Sequence, residues 1–171
     1  WLVSPLYEAH VPLGALLRGG VAPLPAEMAL RVLHQVAAAV EYLHTPRDGR
    51  SVVVHRDLKP EEVLVDVQRG HAVLGWGFAT ELRASSGSAT VERKNVGTPL
   101  YMAPELVLPG GAQFLASRVR LPPLAWTRTD VYSFGILLWQ MLPENHGKPL
   151  LDHLQSTEQL LAHLRAGGRP P

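Results

Sequence analysis

Met28, Val32, Val36, Val40 and Leu43 recur at intervals of three and four, which predicts a helix with one buried stripe, opened by Pro25 in its first turn. Before it, residues 1–7 form an apolar stretch that reads as a short strand running into a connector at Pro5, and residues 13–18 form a small helical piece closed by Gly19 and Gly20. A loop at 45–50 follows. Residues 51–54, 63–65 and 72–74 are short β-branched or aliphatic runs, the pattern of small strands around a loop. From Asp130 the chain is apolar on nearly every side as far as Leu142, as expected of a helix buried at the centre of a domain, and Pro143 ends it. A last helix is predicted from Ser156, with Gln159 in the capping-box position and Gly167 as its stop. The Ser- and Gly-rich residues 84–89 and the Pro- and Gly-interrupted residues 106–129 keep no period and read as surface segments. The pattern is mostly α with a few short strands, and it contains no internal repeat.

Composition narrows the class. A length of 171 residues fits one compact domain, and 46% apolar against 18% charged residues is globular. Sixteen Lys and Arg against fifteen Asp and Glu leave +1, which argues against nucleic-acid or membrane-surface binding by bulk charge. With no cysteine, disulfide scaffolds, thiolate zinc sites and cysteine nucleophiles are excluded. The apolar run 134–142 is far short of a membrane span, so no membrane insertion by this segment is expected. The eight histidines show neither an i, i+4 pair nor zinc spacing, which speaks against a histidine metal site. The chain opens on Trp1 and is read as a segment of a longer protein.

The informative stretch is His55-Arg56-Asp57-Leu58-Lys59-Pro60-Glu61-Glu62-Val63-Leu64-Val65. A carboxylate at Asp57 can orient a hydroxyl and accept its proton, and Lys59 two residues on can neutralise a moving phosphoryl group. The stretch resembles the catalytic loop of the eukaryotic protein kinases, in the Ser/Thr form that carries the lysine. Two further matches follow in chain order. Residues Gly97 to Glu105 resemble the end of an activation segment, and Asp130-Val131-Tyr132-Ser133-Phe134-Gly135 resembles the central helix of the C-terminal lobe. The resemblance covers essentially the whole chain and is nearest to the tyrosine-kinase-like Ser/Thr branch. It implies a kinase-like C-terminal lobe over residues 1–171 with its hinge, an activation segment at about 75–105, no N-terminal lobe, and an end before the last helices. It also implies Asp57 and Lys59 as catalytic residues, and Pro5, Tyr7 and Leu64 on the adenine side of an ATP site, with Ser4 as a small gatekeeper. Thr98 is expected to position a loop, and Trp76 to pack against His55. Glu105 is expected to pair with an arginine of a later helix. Ser85, Ser86, Ser88 and Thr90 read either as a phospho-switch with Arg56 as partner or as an ordinary polar loop.

Departures from the family pattern bear on function. Gly75 stands where the family has its metal-binding aspartate, and Glu62 where it has the second ligand, asparagine. Glu62 reads as a solvated or Lys-paired acid, or as a metal ligand in its own right. Magnesium demands short oxygen contacts in near-octahedral geometry, so binding of ATP is expected with weak or absent magnesium. The resemblance therefore implies a catalytically impaired kinase-like domain, a scaffold or allosteric partner for other proteins, in the cytoplasm or on the cytoplasmic side of a larger protein. An active or weakly active Ser/Thr kinase acting on protein hydroxyls, with Glu62 taking over the metal, is the alternative. A truncated product without a stable fold is the third.

Overall fold

The computed structural model describes residues 7–18, 22–47, 49–82, 89–92, 98–107, 118–148 and 156–169. A short strand β1 (Val11–Pro12) runs directly into the one-turn helix α1 (Leu13–Leu16), and helix α2 (Ala26–His44) follows. The predicted stripe is the buried face of α2: Val32, Val36 and Val40 are buried together with Ala29, while Met28 and Leu43 lie half-buried at its margins. Strands β2 (Val53–Val54), β3 (Val63–Asp66), β4 (His71–Leu74) and β5 (Thr80–Glu81) come next, then β6 (Ala89–Glu92), helix α3 (Pro104–Val107), β7 (Arg118–Leu121), helix α4 (Pro123–Met141) and helix α5 (Thr157–Arg165).

Three antiparallel strands in the order β1-β3-β4 carry the loop that ends at β3. Their alternation separates two faces. Val63 and Val65, opposite Leu74 and Ala72, face a core with Val32, Val36, Val40, Leu13, Leu58, Leu137 and Met141. Leu64, in register with Pro12 and Val73, lies on the other face. Burying each such valine or leucine contributes about 1.5–3 kcal/mol, so this cluster is what holds the sheet to α2 and α4.

The turn from β3 to β4 is closed by Asp66. Its Oδ1 accepts hydrogen bonds from the backbone N–H groups of Gln68 at 3.0 Å and Arg69 at 3.1 Å, and its Oδ2 accepts one from the Arg69 guanidinium at 3.2 Å. Burial pulls the Asp66 pKa up, but these donors together outweigh it and hold the carboxyl below its ordinary value. A depressed native pKa means that the ionised form contributes stability above the unfolded-state value of about 3.9, lost as pH falls through the lower native value. Asp66→Asn is therefore expected to flatten the acid limb of a melting-temperature profile below about pH 4. An unchanged profile would show that the turn does not depend on the charge.

Two expectations about α4 are corrected. Helix α4 begins at Pro123, seven residues before Asp130, because Pro123 occupies the first turn, where its missing N–H costs nothing. The segment 123–129 is thus helical, and it buries Trp126 and Thr129. Nor is α4 buried all round, since Leu124, Val131 and Leu138 are exposed at two-turn spacing. Glu105 is exposed, and the arginine expected to pair with it belongs to a later helix. Ser156 caps α5 as expected, its Oγ accepting from the Gln159 N–H at 3.2 Å, and Gly167 follows with φ +84°. The expected strand at 1–7, with Ser4 and Pro5, and Ser85, Ser86 and Ser88 of the polar loop lie outside the described residues, apart from Tyr7.

Candidate active site

The loop between β2 and β3 is built around a single buried carboxylate from α4. Asp130 accepts hydrogen bonds from the His55 N–H at 2.8 Å and the Arg56 N–H at 2.9 Å, and His44, at the end of α2, places its Nε2 2.8 Å from the same carboxylate. These bonds hold Arg56 at φ +71°, a left-handed conformation in which the chain reverses before Asp57. His55 is buried and its ring is fixed at both nitrogens: Nδ1 accepts from the Asp57 N–H at 3.3 Å, and Nε2 bonds the Gly75 carbonyl oxygen. Accepting at Nδ1 requires the proton on Nε2, so the ring is the neutral Nε2–H tautomer. Arg56 sends its guanidinium to the Phe78 carbonyl oxygen, with Nε at 2.8 Å. Burial lowers the Arg56 pKa, and the Asp130 carboxylate offsets part of that shift.

Asp57 is buried at the tip of this loop, and its two oxygens have different partners. Lys59 Nζ lies 2.7 Å from Oδ2, while the Thr98 hydroxyl donates to Oδ1 at 3.3 Å and itself accepts from Lys59 Nζ at 2.9 Å. Asp57, Lys59 and Thr98 therefore close a ring of charge-assisted hydrogen bonds. Thr98 reaches this point because its segment is tied to α4: Ser133 Oγ donates to the Tyr101 carbonyl oxygen at 2.7 Å, and the Tyr101 hydroxyl donates to Gln140 Oε1 at 3.1 Å. Burial raises the Tyr101 pKa, so its hydroxyl keeps its proton well beyond neutral pH. A hydroxyl brought to Oδ1 in place of that of Thr98 would meet a carboxylate to orient it and an ammonium beside it.

The other end of the motif is altered. Gly75 donates its N–H to the Glu62 carbonyl oxygen at 2.7 Å, and a Cβ placed on Gly75 would stand 2.7 Å from Glu62 Oε2 and 3.3 Å from the Glu62 carbonyl oxygen. The half-buried Glu62 carboxylate thus occupies the space that a side chain at 75 would take. Lys59 pairs with Asp57 instead of Glu62. Among the described residues, no three His, Asp or Glu side chains converge as a metal site. The residues present do not fit a magnesium held from both positions, since one carboxylate now stands where two separate ligands would.

Leu64 sits on the sheet face opposite the core, Tyr7 packs edge-on against His10 with ring centroids 5.1 Å apart, and Pro5 lies outside the described residues. The expected packing of Trp76 against His55 is not formed: Trp76 is 66% exposed, with Phe78 two residues on 45% exposed, while His55 Nε2 bonds the Gly75 carbonyl oxygen. Sequence reasoning missed Thr98 as a direct partner of Asp57 and missed His44 altogether. The only sequence signal for His44 is its place in the last turn of a helix, where a cation is favoured.

A family model described as the protein kinase domain matches residues 7–166. The chain belongs to the protein kinase family. Its relatives include the human receptor-interacting serine/threonine-protein kinase 3, 37% identical over 120 residues that make up 70% of this chain and 20% of that protein. The receptor-like kinase TMK2 of Arabidopsis thaliana is 33% identical over 162 residues, 91% of this chain and 16% of the relative. The salt tolerance receptor-like cytoplasmic kinase 1 of Oryza sativa subsp. japonica is 34% identical over 126 residues, 72% of this chain and 31% of the relative. The kinase domain described here spans less than a third of the length of each. No helix among its described residues is long and apolar enough to cross a membrane.

Proposed function

We propose that this kinase domain is catalytically impaired and acts as a scaffold or allosteric partner of other proteins in signalling, in the cytoplasm or on the cytoplasmic side of a larger protein. The observation that carries the reading is the Glu62 carboxylate filling the space beside Gly75, which leaves one oxygen-bearing side chain where the family uses two. Losing well-placed metal ligands removes several kcal/mol of transition-state stabilisation. On the adenine side, Leu64, half-buried on the sheet face away from the core, with Tyr7 and Pro5 of the connector, keeps the residues that the family pattern places against the nucleotide. ATP is then bound, where it is bound, with little help from magnesium.

A second reading, a weakly active Ser/Thr kinase transferring the ATP γ-phosphoryl group to protein hydroxyls, is favoured by the closed ring of Asp57, Lys59 and Thr98. In that reading Asp57 orients the acceptor hydroxyl, Lys59 neutralises the transferred group, and Glu62 stands in as the metal ligand. Nucleotide-induced thermal shifts, measured with magnesium and with a chelator, separate the two. The impaired reading expects equal shifts. A magnesium-dependent gain approaching about 2.7 kcal/mol at a hundredfold excess over Kd would overturn it in favour of the active kinase.

A further inference from the structure

His10 and His71 are 61 residues apart in the chain and meet across β3, with His10 Nε2 3.2 Å from His71 Nδ1 and the two rings edge-on at 5.5 Å between centroids. His71 opens β4 opposite Asp66, and His10 immediately precedes β1, one step beyond the pair Val11 and Val65. Strand alternation therefore places both on the face that carries Leu64. We propose that this pair is a binding site for a divalent transition-metal ion such as zinc or copper.

The geometry favours it. Two imidazole nitrogens bonded to one tetrahedral zinc at 2.0–2.1 Å stand about 3.3 Å apart, close to the separation already present. Small rotations of the two rings would turn both lone pairs onto a common ion. In the pair as it stands, one ring donates a proton to the other; a metal takes the place of that proton, which moves to the outer nitrogen of the same ring, so no net proton is released. Neither ring is committed elsewhere through its second nitrogen by any bond described for it, and His10 Nδ1 is buried without a partner. Asp66 lies between them in register, but its oxygens serve the turn at Gln68 and Arg69. Two protein ligands leave the remaining positions to water, and His71 is exposed, so the ion enters from solvent. The lack of a hydrogen-bond acceptor behind His10 Nδ1 weakens the site about ten- to a hundredfold against one with such support, which makes it exchangeable. Imidazole donors select zinc, copper or nickel over magnesium. An ion held there would clip β1 to β4, whose far end leads into Gly75.

Copper(II) titration of the full chain, followed by electron paramagnetic resonance, tests the assignment. The wild type should show coupling to two nitrogens. His10→Ala and His71→Asn should each retain at most one and bind at least tenfold more weakly, while the exposed His34→Asn stays as wild type. Zinc at a hundredfold excess over its Kd should raise Tm by roughly 5–10 °C, and His71→Asn, a change at an exposed position, should remove that rise. A wild-type spectrum and affinity in both variants, or no ion bound by the wild type, would overturn the proposal.

Discussion

Asp130→Ala is expected to lower the stability of the domain by roughly 3–5 kcal/mol, much of the 5–15 kcal/mol that a domain has. The carboxylate is buried on α4 and takes the backbone N–H groups of His55 and Arg56 as well as the His44 ring. Removing it leaves these donors without an acceptor, and an unmet buried donor costs about 1–3 kcal/mol. It also releases Arg56 from a left-handed conformation that a non-glycine residue does not hold unaided. Asp130→Asn should recover part of the loss, since an amide oxygen accepts one of the two N–H groups while its NH2 opposes the other. Denaturant midpoints at constant m-value measure both. A loss below about 1 kcal/mol for the alanine variant would mean that the loop holds its shape without α4.

The second large effect is a gain. Gly75→Asp together with Glu62→Asn is expected to raise autophosphorylation by up to roughly a thousandfold, the equivalent of about 4 kcal/mol of transition-state stabilisation, in the protein that contains this domain. Gly75→Asp alone should do much less, because its Cβ would meet Glu62 Oε2 at 2.7 Å. The glutamate must move away, and two carboxylates then compete for one place. Shortening residue 62 to asparagine clears the space and restores a neutral oxygen ligand, so the two changes are coupled and non-additive. Gly75 has no positive φ, so aspartate is free of backbone strain there. The double-mutant cycle uses Asp57→Asn as the blank that every real signal must lose. If Glu62→Asn alone abolishes a clear wild-type activity, Glu62 is the working ligand and the active-kinase reading holds.

What could be read before folding was what short-range chemistry determines. Helix α2 follows from one valine stripe, and the start of α5 from Ser156 and Gln159 three residues apart. The catalytic-loop motif was legible because its residues are contiguous, and the altered positions 62 and 75 because they are defined by offset from Asp57. The start of α4 was not, since residues 123–129 mix Pro, Trp, Thr and Arg without a period, and its buried Trp126 is explained only by the cluster with Val54, Leu82 and Leu106. Thr98 joins Asp57 from 41 residues away, and His10 joins His71 from 61, distances at which spacing rules are silent. Trp76 was misplaced because a large apolar side chain reads as core in sequence, whereas here it is exposed.

The bonds from Asp130 to His55 and Arg56 also set an order of events. They close loops of 75 and 74 residues, among the longest separations the described hydrogen bonds span. At a synthesis rate of about 5–20 residues per second, residue 130 is added roughly 4 to 15 s after residue 55. Until then the N–H groups of His55 and Arg56 have only water to bond, and the local chain has no reason to adopt the left-handed turn. On the ribosome, the loop bearing Asp57 therefore acquires its shape only once α4 arrives, and a chain released before that helix would carry the motif without its geometry.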